Sequence, residues 1–146
     1  MLKINFYDEP IERERIIYVV ITAFYNHQIL LVKHKERFTW EIPGGHREQD
    51  ESSYAAAKRE LFEETGAVEF VIERICGYSV TRAEKESFGI LFRADIQTLG
   101  NLPEFEIGEI GFFNQLPKDL TYPDIQLFLL KKALEQSPVI LDQTML

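Results

Sequence analysis

Three carboxylates and one guanidinium crowded into six residues, Arg59-Glu60-Leu61-Phe62-Glu63-Glu64, are the strongest chemical signal in this sequence. The stretch lies in a segment built to be helical: Asp50, Ser52 and Ser53 offer N-caps, Ala55-Ala56-Ala57 favours helix, and Gly66 stands where a left-handed C-cap is wanted. With Tyr54 set to zero on a helical wheel, Glu63 falls at about 180°, Glu60 at about 240° and Glu64 at about 280°. Tyr54, Ala57, Leu61 and Thr65 then form the expected core face, and the carboxylates are expected on the side turned away from it. Like charges at this spacing repel, and Arg59, four residues before Glu63, offsets only part of that repulsion. Hard divalent cations such as Mg²⁺ or Mn²⁺ offset the rest, because they take oxygen ligands and bridge carboxylates to phosphates. The plain alternative for such a run is a solvated charged face.

The wider spacing decides between the two. Gly45, five residues, Glu51, seven residues, then Arg59-Glu60-Leu61-x-Glu63-Glu64-x-Gly66-Ala67 satisfies the Nudix box at each specified position of residues 45–67. Typical residue frequencies put a chance match on the order of 10⁻⁷ or less. The chain therefore resembles the Nudix hydrolase superfamily, in particular its MutT-like members. The resemblance implies an α/β fold, an α/β/α sandwich with a mixed central sheet, and hydrolysis of a nucleoside diphosphate linked to another moiety with Mg²⁺ or Mn²⁺. Carried over by position, it implies that Glu63 and Glu64 are metal ligands, that Glu60 is a ligand or the base, that the Gly44 carbonyl is a further ligand, and that Arg59 orients the carboxylates. Glu51 supports the box or contacts the outer metal shell, and Gly45 and Gly66 are backbone requirements.

The base is not settled by the box, since in this family it sometimes lies outside it. Glu106 and Glu109 are the outside candidates, and Glu109, before the aromatic strand end Phe112-Phe113, better resembles the family's recurrent glutamate. The catalytic set expected is thus Arg59, Glu60, Glu63, Glu64 and Glu109. Lys33, Lys35, Arg37 and Arg47, with His34 and His46, are candidate phosphate contacts; Lys35, Arg47 and Glu51 are carried as substrate-binding. Trp40, Phe38 and Tyr78 are either base-stacking or core. The narrower substrate expected is a nucleoside triphosphate, including oxidised forms such as 8-oxo-dGTP, cleaved to monophosphate and pyrophosphate. ADP-ribose, dinucleoside polyphosphate and RNA 5′-end hydrolysis, or a non-catalytic nucleotide-binding module, remain open alternatives.

The elements that must position these residues follow from patterning. Ile16–Phe24 is almost wholly apolar and β-branched, as expected of a strand covered on both faces. Asn26-His27 reads as a turn into a second strand over Ile29–Val32, and Lys33 to Arg37 as a charged loop. Gly44-Gly45 reads as a glycine turn opening a loop that runs to Asp50, and a helix follows from Ser52 to Thr65. Val68–Ser79, Gly89–Ile96 and Ile107–Phe113 read as strands, Arg82–Glu86 as a loop, and Gln126–Leu134 as a helix with Leu127, Leu130 and Leu134 on one face. Val139-Ile140-Leu141 reads as a short strand or a dimer contact.

The 146 residues, 45% of them hydrophobic, suffice for one core, so residues 1–146 are expected to form one domain. Sixteen basic against 24 acidic residues leave a net charge of −8, which disfavours nucleic-acid backbone and anionic membranes. No DNA or membrane partner is therefore expected, and a small nucleotide is. Cys76 is the single cysteine, so no intrachain disulfide forms, and no apolar stretch is long enough to span a bilayer as a helix. A cytoplasmic protein is the expectation, and the resemblance leaves a homodimer open.

Overall fold

The computed structural model describes residues 2–136; the Val139-Ile140-Leu141 segment lies outside the described residues. Its framework is one mixed sheet with a helix on each face, the expected α/β/α sandwich. The strands are β1 (Lys3–Tyr7), β2 (Ile16–Tyr25), β3 (Gln28–His34), β4 (Gly44–His46), β5 (Ala67–Arg82), β6 (Lys85–Leu99) and β7 (Ile107–Phe113), in the order β1-β5-β6-β2-β3-β7 with β4 also on β2. Helix α1 (Ser53–Thr65) packs Ala56, Ala57 and Leu61 on one face of the sheet, and α2 (Pro123–Gln136) packs Leu129, Leu130 and Ala133 on the other.

β2 is the axis of this arrangement, and its all-apolar sequence suits the position. Val19, Ile21 and Ala23 point to the α1 core while Val20 and Phe24 point to the α2 core, as alternation requires of a strand covered twice. Along one edge β2 pairs in parallel with β6. Along the other it changes partner: its C-terminal half pairs with β3 and its N-terminal half with β4. Between them residues 41–43 enter the gap like a wedge, the Ile21 N–H donating to the Pro43 carbonyl (2.8 Å) while Glu41 and Val32 exchange backbone hydrogen bonds (2.9 Å each). This split carries Glu41, Gly44 and Gly45 into the interior of the sheet, opposite α1.

Local signals account for most boundaries. Ser52 Oγ accepts the Ala55 N–H at 3.1 Å and caps α1, and Gly66 ends the helix at φ +79°, its N–H donating to the Phe62 carbonyl. Asn26 and His27 both have positive φ and make the two-residue turn between β2 and β3. Four expectations are corrected. Gly44-Gly45 belongs to β4 rather than to a turn, because β2 supplies it with a partner edge. Lys33 and His34 extend β3 because β7 pairs with them, and the expected Arg82–Glu86 loop is only the tight turn Ala83-Glu84 between two long strands. Helix α2 starts at Pro123, where the Tyr122 carbonyl accepts the first helical N–H groups; of the expected face Leu130 is buried and Leu134 packs on the same core, but Leu129 and Ala133 take the place expected for Leu127. β1, a five-residue edge strand with no residue fully buried, has its place set by its register on β5.

Candidate active site

Arg59 organises the box. Its Nε donates to Glu51 Oε2 (2.9 Å) and its Nη2 to Glu51 Oε1 (2.6 Å), a bidentate pair. Its Nη1 reaches Glu60 Oε1 (2.9 Å) and Glu63 Oε2 (3.2 Å), and Nη2 also donates to the His46 carbonyl (3.1 Å). Glu51, held besides by the Glu48 N–H, is thus drawn well below the usual carboxylate range by the Arg59 hydrogen bonds, while those same bonds keep Arg59 firmly protonated. Seven residues separate Glu51 from the box arginine so that loop and helix can close this pair. The carboxylates orient by way of one shared cation.

Glu64 corrects the wheel. It is 5% exposed, set between α1 and the split in the sheet, and its Oε1 accepts the Gly44 N–H at 2.9 Å. The reason is that Tyr54, chosen as the centre of the core face, is half exposed, whereas Ala57, Leu61 and Thr65 are fully buried. The true core face is therefore rotated toward Glu64. Burial pushes the Glu64 carboxyl up to about 8; the Gly44 N–H pulls it down, and the charges of Glu60, Glu41 and Glu106 raise it further. Burial raises Glu60 as well, against the pull of Arg59. Gly45 is needed here for space: a Cβ on it would stand 2.5 Å from Glu60 Oε1.

Glu41 is a buried member of this cluster that sequence reasoning missed. Its carboxyl is also raised by burial, with His34 and Arg37 opposing. His34 Nε2 lies 2.5 Å from Glu41 Oε1, at an angle poor for hydrogen bonding, so this buried oxygen has no aligned donor. His34 also stands 3.7 Å from Glu64 and 3.9 Å from Glu106. The available sequence signal was a lone carboxylate between Trp40 and Ile42, immediately before the glycines.

Of the outside base candidates, the structure brings Glu106 to the cluster and not Glu109. Glu109 pairs across the sheet with Lys33, whose ammonium lies 3.9 Å from it and 4.4 Å from the Trp40 ring on the α2 side. Alternation therefore points Glu109 away from α1, while Glu106, just before β7, faces His34 across the cleft.

Other candidates separate in the same way. Arg47 is turned to backbone carbonyls of Ile16, Glu48, Gln49, Glu51 and Arg13 and ties the box loop to the 3-10 turn at Arg13–Arg15. Lys35 is exposed, and neither it nor Arg47 lines the main cleft. Arg37 does line it, 3.5 Å from Glu41 Oε2. Phe38 is 90% exposed, Trp40 packs on Phe113, and Cys76 is buried against α2. His46 packs against Tyr18, ring centres 4.8 Å apart and planes tilted by 50°.

The cleft, about 720 Å³, runs from Gly44, Gly45 and Glu41 over an apolar floor that includes Val20, Tyr78, Val80, Ile125 and Leu129. Gln126 closes one side, its Oε1 accepting the Ile42 N–H at 2.6 Å. Hard oxygen donors at one end and an apolar floor at the other suit a ligand with a phosphate tail and a flat apolar head. Among the described residues no three His, Cys, Asp or Glu side chains converge into a ready-made cage; Arg59 and the Gly44 N–H instead engage oxygens of Glu51, Glu60, Glu63 and Glu64. The donors nonetheless fit a divalent cation in kind: the raised carboxyls of Glu60 and Glu64, with Glu41 also raised by burial, mark negative charge that the protein alone leaves poorly compensated.

This fold and this box define a Nudix enzyme. The NUDIX domain family model matches residues 13–124, and the chain belongs to that family; it is a Nudix hydrolase, a diphosphatase. It is 29% identical over 133 residues, 90% of this chain and 83% of the relative, to a Bacillus subtilis (strain 168) protein described as "Putative 8-oxo-dGTP diphosphatase YtkD". Its structure is similar to that of a variant of the Bacillus subtilis pyrophosphohydrolase BsRppH, with a TM-score of 0.78, 26% identity, and 94% and 92% of the two chains covered. The NUDIX domain of Shewanella oneidensis NrtR, crystallised with ADP ribose, shares the fold at a TM-score of 0.67 and 22% identity, over 84% of this chain and 88% of that one.

Proposed function

We propose that this hydrolase cleaves a nucleoside triphosphate, oxidised forms such as 8-oxo-dGTP included, to the monophosphate and pyrophosphate, with Mg²⁺ or Mn²⁺. The observation that carries the reading is a buried, undercompensated carboxylate cluster at one end of an apolar cleft of nucleotide size. The description of the YtkD relative supports the substrate class.

Glu60, Glu63 and Glu64, with the Gly44 carbonyl, would hold the cation, whose chemistry when bound is to offset phosphoryl charge and to lower the pKa of water. Arg59 fixes the orientation of Glu60 and Glu63, and Glu51 fixes Arg59. Glu106, open to the cleft and 3.9 Å from His34 Nδ1, takes the proton of the attacking water. Tyr78, Val80 and Leu129 receive the base and exclude water around it. The same reading places the protein in the cytoplasm, since its one cysteine requires no oxidising compartment.

The test is product analysis with nucleoside triphosphates, 8-oxo-dGTP, ADP-ribose and dinucleoside polyphosphates, against EDTA and Glu64→Gln controls. Monophosphate and pyrophosphate released from a triphosphate, and lost in both controls, is the expected result. AMP and ribose phosphate from ADP-ribose, with triphosphates inert, overturns it.

A further inference from the structure

Arg47 spends its hydrogen-bonding capacity on the backbone around it. Its Nε donates to the Ile16 carbonyl (3.0 Å) and its Nη2 to that of Arg13 (2.8 Å). Its Nη1 faces three carbonyls of the box loop at once, those of Glu48 (3.0 Å), Gln49 (3.2 Å) and Glu51 (2.8 Å). Among the described residues no carboxylate stands within 4.0 Å of it. A guanidinium offers its donors in a rigid planar fork, and with all three nitrogens engaged this one has little left for a phosphate. A packing role calls for no fork, and a surface charge would be met by water. Residues 48–51 are instead wrapped about Arg47 as carbonyls wrap a bound cation, and the root of the side chain is fixed too, its N–H donating to the Ile17 carbonyl (2.8 Å).

What the wrapping holds in place is Glu51. Its carbonyl accepts from Arg47 and also from Arg13 Nε (3.1 Å), while Arg13 Nη2 takes the neighbouring Asp50 carbonyl (3.0 Å). Its N–H donates to the Glu48 carbonyl (3.1 Å), and its Oε1 accepts the Glu48 N–H (2.9 Å). Two guanidiniums thus fix the main chain of Glu51, and its carboxylate is left to meet a third, that of Arg59, at 2.9 and 2.6 Å. Arg59 in turn holds Glu60 (2.9 Å) and Glu63 (3.2 Å). Every link in this relay is a directional hydrogen bond from a planar fork, so a shift of the Glu51 backbone is passed on to the carboxylates rather than absorbed. Arg47 itself does not line the cleft.

We infer that Arg47 is a positioning residue for the carboxylate cluster: by holding the Glu51 main chain it sets, through Glu51 and Arg59, where Glu60 and Glu63 stand, and so sets the affinity of the cluster for a divalent cation. The role toward the cation rests on the Nudix-hydrolase reading above; the placement of the carboxylates does not.

Calorimetric titration of Mn²⁺ into wild type, Arg47→Met, Glu51→Ala and the double variant tests the first part. Arg47→Met keeps the apolar stem and removes the fork, and is expected to raise the Mn²⁺ Kd by about tenfold or more, the usual cost of losing a group that orients metal ligands. The nucleotide KM at saturating Mn²⁺ is expected to stay within threefold of wild type. Because Glu51 transmits the effect, adding Arg47→Met to Glu51→Ala is expected to change Kd less than twofold further. Losses that multiply, an unchanged Mn²⁺ Kd with a lowered melting temperature, or a raised KM with an unchanged Mn²⁺ Kd each overturn the inference: the first two leave Arg47 a scaffold residue, and the third makes it a substrate contact. Proton exchange tests the second part without metal. In EDTA the Arg59 Nε–H, bonded to Glu51 in wild type, is expected to exchange with solvent about tenfold faster in Arg47→Met, and an equal rate overturns the positioning. If wild type binds no Mn²⁺ and this exchange still responds, the positioning stands and the metal-hydrolase reading falls. Should Arg47→Met fail to fold, Arg47→Lys, with three donors on one nitrogen in place of a fork, is read in the same two measurements, and a change below threefold in both overturns the inference.

Discussion

Glu64 joins two properties that a solvated glutamate does not combine: it is a box carboxylate, and it is buried with a proton affinity raised to about 8. In the unfolded chain the same group titrates near 4.5. The folded state therefore binds the proton more tightly than the unfolded state, and stability is fully present below pH 4.5 and lost as pH rises toward 8. Each pKa unit corresponds to about 1.4 kcal/mol. Glu64→Gln keeps an acceptor for the Gly44 N–H and carries no charge, so in EDTA its melting temperature is expected to exceed that of wild type increasingly from pH 5 to pH 9, while turnover is abolished. A difference that does not change with pH contradicts the burial argument. For the base, Glu106→Gln is expected to lower kcat by about 10²- to 10⁴-fold, the usual contribution of a general base. Glu109→Gln, paired with Lys33 outside the carboxylate cluster and the cleft lining, is expected to change it less than twofold. The reverse order would return the role to Glu109. Residue types in the box were legible from spacing alone; Glu41, with no place in that pattern, was not, because its role depends on a wedge between two strands that a linear pattern does not contain.

At the scale of elements, α1 and its caps follow from local chemistry, and Ser52 and Gly66 sit where helix-end hydrogen bonding requires them. The β5–β6 hairpin follows it poorly. Ala83 and Glu84 take positive φ with neither glycine nor asparagine present, at a cost of about 1–2 kcal/mol per residue. Replacing Glu84 with Gly is expected to stabilise the protein by about 1 kcal/mol in chemical denaturation, and an unchanged or lower midpoint would show that the turn is not strained. This missing turn signal is also why the sequence suggested a loop over Arg82–Glu86. β1 was illegible for a related reason: an edge strand with half-buried residues is specified by the edge it joins rather than by its own alternation.

For the whole molecule, net negative charge and the clustered box carboxylates act in the same direction. A cation that binds the folded cluster stabilises it by mass action, about 2.7 kcal/mol at a hundredfold excess over Kd. Titrating Mg²⁺ into EDTA-treated protein is expected to raise the melting temperature in wild type and to leave that of Glu64→Gln nearly unchanged; equal shifts in both would mean that Mg²⁺ acts on surface charge in general. By itself the sequence determined the family, the box helix with its caps, the twice-covered strand β2 and which acidic residues fill the box, because each of these is encoded in short-range spacing. Only the tertiary structure decided that Glu64 is buried, that Glu41 joins it, that Arg47 holds a loop, and that Glu106 rather than Glu109 faces the cleft. Those outcomes depend on which face of the sheet a residue takes and on where β2 exchanges β3 for β4, and both are fixed by pairing between segments far apart in the chain.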